Sequence, residues 1–129
     1  MLLLDTSAIV AHWFAEPGHE TVAEAIATRE AWVAAPTWFE LRIRLANEAG
    51  LDETLALYRG VLAGTVEIGA DAAEAGVMLR GASGRRIPAV DALIAGAAKV
   101  RGFRLIHRDR HLAQIPAGLL DQTALPGTR

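Results

Sequence analysis

Short apolar runs alternate with longer stretches of helical periodicity along the whole chain. That alternation constrains the fold more than any single residue does. MLLL at 1–4, AWVAA at 31–35, TVEI at 65–68 and FRLI at 103–106 each read as a buried strand. Leu119 and Leu120 read as the start of a short fifth. Helical spacing fills the gaps, over 7–14, 20–29, 37–49, 52–63, 70–80 and from Pro88 to about Arg101. Thr6 or Ser7 is available as an N-cap for the first helix, and Gly50 is a stop signal for the third. GASGRR at 81–86 reads as a loop. Strands that alternate with helices imply βα units and a parallel sheet covered on both faces. The expected class is α/β: three layers around a short, mostly parallel sheet of four to five strands.

At 129 residues the chain is most simply one domain spanning 1–129, with about 125–129 expected to fray. With 52% hydrophobic residues it can hold a core. There is no cysteine, which excludes disulfides and thiolate metal sites. Any metal must therefore be held by oxygen or imidazole. The first apolar run is broken at Asp5 and has no basic leader, and no later stretch is long enough to span a bilayer. The expectation is a soluble, cytoplasmic protein with no membrane partner. The net charge of −2 does not announce a nucleic-acid binder, although 12 of the 13 basic residues are arginine, all but Lys99.

In open parallel sheets, ligands bind beyond the carboxyl ends of the strands. Asp5 and Asp109 both follow such ends. Glu40 and Asp91 are expected in the first turns of helices that begin at the same edge. Four acids from distant parts of the chain can therefore converge. Each alone has an ordinary explanation: a strand end or cap for Asp5, helix-dipole acids for Glu40 and Asp91, a surface partner of Arg108 or Arg110 for Asp109. Together they repel, and a divalent cation is the natural compensation. Mg²⁺ takes carboxylates, waters and phosphate oxygens at about 2.0–2.1 Å. Two ions about 3.5–4 Å apart can clamp an in-line phosphoryl displacement.

The arrangement resembles the PIN-domain ribonucleases and, within them, the VapC-type toxins of bacterial toxin–antitoxin pairs. LLLDTSAIVA, PTWFEL with Glu40, PAVDALIAGAA with Asp91 and LIHRDRHLAQIP with Asp109 carry the resemblance over nearly the whole chain. It implies metal binding and catalysis by Asp5, Glu40, Asp91 and Asp109, with support from a Thr6 or Ser7 hydroxyl. It implies dependence on Mg²⁺ or Mn²⁺, endoribonuclease activity leaving 5′-phosphate and 3′-hydroxyl ends, and inhibition by a cognate VapB-like antitoxin. One position departs from the pattern: His107 stands where PIN domains often carry Thr or Ser. It can orient Asp109, contact RNA or simply end the strand.

At about 100° per residue the third helix has two apolar stripes. Phe39, Ile43 and Ala46 line one, and Trp38, Leu41 and Leu45 line the other, with Glu40, Arg44 and Asn47 between them. Deep burial explains this, as does packing on a core plus a homodimer or antitoxin interface. Arg44, one turn after Glu40, is placed either to grip a phosphate or to pair with Glu40. On the Asp91 helix, Val90, Leu93, Ile94 and Ala97 make the expected buried stripe, and Ala95 and Ala98 leave room beside Asp91. Arg85, Arg86, Arg104, Arg108, Arg110, His107 and His111 gather near the acid edge. They form either a rim for RNA, with Arg44, Arg85, Arg86, Arg108 and Arg110 foremost, or an ordinary solvated surface.

Three rivals fail on residues. A haloacid-dehalogenase-like phosphatase needs a second Asp where Ser7 stands. A response-regulator receiver needs a lysine after a late strand, whereas Lys99 lies in a helix. DTSAIV has no glycine-rich phosphate loop. A non-catalytic PIN-like domain that binds RNA or a partner remains the alternative.

Overall fold

A computed structural model describes residues 1–128. Its strands are β1 (Leu2–Leu4), β2 (Ala31–Ala34), β3 (Gly64–Val66), β4 (Arg104–His107) and β5 (Gln122–Ala124). Its helices are α1 (Thr6–Trp13), α2 (His19–Ala27), α3 (Ala35–Arg44), α4 (Leu51–Val61), α5 (Ala70–Ala82), α6 (Ala89–Arg101) and the single turn α7 (Arg110–Ala113). The strands form one parallel sheet in the order β3-β2-β1-β4-β5. Leu2 of the central strand is in register with Ala31 on one side and Arg104 on the other.

Side chains alternate across a strand, so β1 feeds both faces of the sheet. Leu3 packs with Leu79, Ile94 and Ala98 of α5 and α6. Leu4 packs with Ile9, Val22, Leu41 and Leu55 of α1 to α4. Both leucines are fully buried, which explains why β1 reads as an unbroken apolar run. The expected three-layer α/β architecture is what forms. Among the described residues no helix is long and apolar enough to cross a membrane.

The α5–α6 packing depends on glycine. A Cβ on Gly96 would sit 2.2 Å from Ala72 O and 2.7 Å from Gly76 N. The two backbones meet through small residues, so Ala92, Ala95, Gly96, Ala97 and Ala98 are all buried. Val90 and Leu93, expected in the buried stripe, are only half-buried.

Several boundaries differ from the sequence reading. The structure gives α1 an N-cap at Asp5, whose carboxylate accepts from Ser7 N, in place of Thr6 or Ser7. Pro36 lies inside the first turn of α3, so Glu40 falls in the second turn rather than the first. The same helix stops at Arg44, not at Ala49. Leu45 is its last buried anchor; residues 46–50 are all exposed, and no packing holds them helical. Gly50 then adopts φ +71° and starts α4. The fifth strand is the polar stretch at Gln122–Ala124, not Leu119–Leu120. Leu120 is core in the turn before it, where Leu119 N bonds to Pro116 O. Leu125, the first residue of the stretch expected to fray, is 2% exposed and its amide donates to His107 O. Arg129 lies outside the described residues.

Candidate metal centre and nucleic-acid interface

The carboxyl edge of the sheet gathers the acids. Asp5 directly follows β1, and its amide bonds to Ile106 O of the neighbouring β4. Asp109 lies two residues beyond the end of β4 and caps α7 by accepting from His111 N at 2.7 Å. Asp91 lies in the first turn of α6, and Glu40 is brought in by α3. Asp5 and Asp91 feel the other acids' charge: Glu40 and Asp109 act on Asp5, and Asp5, Asp109 and Glu40 act on Asp91.

Burial raises the Asp5 carboxyl above its ordinary value, and the charges of Glu40 and Asp109 add to this. Hydrogen bonds from Ser7 oppose it: Ser7 N at 3.0 Å and Ser7 Oγ at 2.5 Å, both on Oδ2. Oδ1 is buried without a partner. One oxygen of this carboxylate thus caps α1 while the other is left without a protein partner. Burial first, then the neighbouring acids, push Asp91 up to about 7, against the opposing charge of Arg44. A buried, unpartnered carboxylate oxygen among like charges is costly unless a cation is bound. The carboxylate oxygens of the four acids suit a hard divalent ion. Asp91, Asp109 and His111 each offer a ligand atom, and these lie within 4.8 Å of one another.

The hydroxyls hold the acids in place. Thr6 Oγ1 donates to Glu40 Oε1 at 2.6 Å and lies 3.1 Å from the buried Thr37 hydroxyl. Ser7 Oγ, while donating to Asp5, accepts from Arg108 N at 2.9 Å and so ties the β1 and β4 turns together. His107 is fully buried, which rules out RNA contact. Its Nδ1 accepts from Asp109 N at 3.1 Å, so its proton sits on Nε2, which faces Gln122 Oε1 at 2.6 Å. Gln122 Nε2 in turn donates to Ile115 O. The ring therefore braces the turn that carries Asp109.

The arginines divide. Arg85, Arg86 and Arg110 are exposed, the first two in the turn before α6 and the third at the start of α7. Arg44 pairs with Glu40 at 3.6 Å yet stays 46% exposed at the side chain. Arg108 does not join a rim: it is 9% exposed and bound to Glu16 at 3.1 Å. Arg108 turns into the protein before the chain enters α7, whereas Arg110, in that helix, faces solvent. Arg104 lies at the amino end of β4, bonded to Thr123 and Asp121, far from the acids. Sequence reasoning did not find Thr37 or Gln122, and it placed His111 in the basic rim rather than among the acids. The one available signal for His111 was its place two residues after Asp109 at a helix start.

The family model of the PIN domain matches residues 2–118. No curated protein matches the chain. Similar folds occur in VapBC2 from Rickettsia felis bound to a DNA fragment from their promoter, at 15% identity and TM-score 0.75, over 96% of this chain and 98% of that one. DNA-bound VapBC from Salmonella typhimurium gives 22% identity and TM-score 0.71, over 96% and 98%. VapBC-5 from Mycobacterium tuberculosis, described as a member of the VapBC family of toxin-antitoxin systems, gives 25% identity and TM-score 0.69, over 96% of each chain.

Proposed function

The chain belongs to the PIN domain family, and from that premise we propose that it is a VapC-type toxin, a Mg²⁺- or Mn²⁺-dependent endoribonuclease restrained by a VapB-like antitoxin in the cytoplasm. The observation that carries the reading is Asp5 Oδ1, buried and unpartnered beside Glu40 and Asp109. Asp5, Glu40, Asp91 and Asp109 would hold the ions and so act as the catalytic group. A bound divalent ion supplies charge neutralisation and an activated water for attack on phosphorus.

The protein's own residues do the rest. Ser7 and Thr6 fix the carboxylates of Asp5 and Glu40 by short hydrogen bonds. Thr6, Ser7 and His107 are supporting residues that set the cluster's shape. Arg44, Arg85, Arg86 and Arg110 grip the RNA backbone, which makes binding weaken as salt rises. His107 has both ring nitrogens engaged, His12 pairs with Tyr58 and His19 with Glu20, which leaves His111 without a second imidazole for proton exchange with a ribose 2′-hydroxyl.

The partners follow from exposed apolar faces. On α3 the Trp38, Leu41 and Leu45 stripe turns inward, while Phe39 and Ile43 stand 66% and 64% exposed. That outer stripe is the homodimer face. A separate cleft of about 530 Å³ between α1, α2 and α4, lined by Trp13, Ile26, Leu57, Tyr58 and Val61, seats the antitoxin. Complexes of the VapBC type among the fold's neighbours support a partner of this kind.

The test is incubation of the free protein with total RNA, with and without Mg²⁺, followed by sequencing of new 5′ ends. The expected result is cleavage that needs the ion, leaves 5′-phosphates and disappears in Asp5→Asn. Ion-independent cleavage, or products ending in a 2′,3′-cyclic phosphate, would overturn the proposed mechanism. Unaltered RNA binding with no cleavage under any condition would favour a non-catalytic domain.

A further inference from the structure

One donor at the acid cluster has no role in the reading above. His111 Nδ1 lies 3.3 Å from Asp109 Oδ1, and its potential ligand atom falls within 4.8 Å of those of both Asp91 and Asp109. We propose that His111 is a ligand of the bound divalent ion, and that this nitrogen donor tilts the site toward Mn²⁺ over Mg²⁺. The inference rests on the metal-dependent reading and specifies it further.

Four observations carry it. First, the backbone delivers the ring. Asp109 Oδ1 caps α7 by accepting from His111 N, which turns the imidazole back over that carboxylate. Second, the site asks for more than carboxylates can give. Asp5 Oδ1 is buried without a partner among other acids, and among the described residues the cation acting on Asp91 is Arg44. A neutral imidazole adds a donor atom without adding a negative charge. Third, the other histidines are committed elsewhere. His107 is bound at both nitrogens, His12 pairs with Tyr58, and His19 pairs with Glu20. Fourth, the His111 side chain is 33% exposed, so the ring is not locked in the core and is free to settle on an ion.

The chemical consequence is selectivity. Mg²⁺ keeps oxygen ligands and waters and gains little from nitrogen. Imidazole affinity favours transition ions, and Mn²⁺ is the member of that series closest to Mg²⁺ in its taste for carboxylate. A site of acids alone would separate the two ions poorly; one with an imidazole arm separates them.

Pulsed electron paramagnetic resonance on the full-length protein loaded with Mn²⁺ tests this directly. The expected spectrum shows ¹⁴N coupling that converts to a ¹⁵N pattern when histidine is isotopically labelled. It is lost in His111→Gln. Calorimetry should show Mn²⁺ affinity falling by about tenfold or more in that variant, with Mg²⁺ affinity changing by less than about threefold. Mn²⁺ bound by the wild-type protein without nitrogen coupling would overturn the role of His111 and leave the carboxylate site standing. No Mn²⁺ uptake at all would overturn both. The wild-type spectrum needs no variant to fold, so the inference is decided even if His111→Gln is unstable.

Discussion

Replacing Asp91 by asparagine should make the metal-free protein more stable while abolishing RNA cleavage, and the stability gain should depend on pH. Asp91 is 5% exposed, and its carboxyl is pushed from 3.8 to about 7 by burial and by Asp5, Asp109 and Glu40. A raised value means that the folded chain holds the proton more tightly than the unfolded one. The stability this contributes is complete below about 4 and is lost as pH rises toward 7. At 1.36 kcal/mol per unit, the ionised group at pH 8 costs about 4 kcal/mol relative to the protonated one. Asparagine never ionises. Between pH 5 and pH 8 the advantage of Asp91→Asn over wild type should therefore grow by about 3 kcal/mol. Urea melts in chelator read it as a midpoint difference that widens by roughly 1–3 M from pH 5 to pH 8. Mg²⁺ or Mn²⁺ should restore the wild type and leave the variant unmoved. A midpoint difference that stays constant with pH would refute the claim that charge crowding strains this cluster.

Other perturbations separate the supporting parts. Gln122→Leu leaves the buried His107 Nε2–H without an acceptor and should cost about 1–3 kcal/mol, with faster hydrogen exchange at the Asp109 amide; unchanged exchange would show that the ring does not brace that turn. Gly96→Ala forces a Cβ to within 2.2 Å of Ala72 O and should destabilise by about 1–3 kcal/mol or more in chemical melts, whereas a neutral result would contradict the close approach of α5 and α6. Phe39→Glu, on an exposed side chain, should leave the melting midpoint intact and convert a dimer to a monomer in light scattering. Leu57→Glu, equally exposed, should instead block antitoxin capture without changing the dimer; loss of both properties in either variant would mean that the two faces are not separate.

What the sequence revealed and what it hid follow one physical rule. Strands buried on both faces must be apolar throughout, so β1, β2 and β4 stand out, and with them the sheet edge where Asp5 and Asp109 emerge. An edge strand needs no such run. Gln122–Ala124 is therefore silent, and the eye goes to Leu119 and Leu120, which are packing residues in the preceding turn. Small residues are nearly as silent: Gly76, Gly96 and the alanines of α6 let the two helices meet closely, yet periodicity credits only Ala97 among them. At the site, four acids of one sign at compatible ends were legible because their repulsion demands an explanation. The neutral groups around them were not. Thr37, Gln122 and His111 acquire meaning only from partners 31, 15 and 2 residues away, and no local pattern marks the first two. Arg108 and Arg110 show the same limit in charge. Two arginines on either side of Asp109 look equivalent in sequence, but one is half-buried against Glu16 and the other faces solvent. Charge of one sign thus points to a candidate site from sequence alone, whereas the geometry around it is set by uncharged partners that the fold alone brings near.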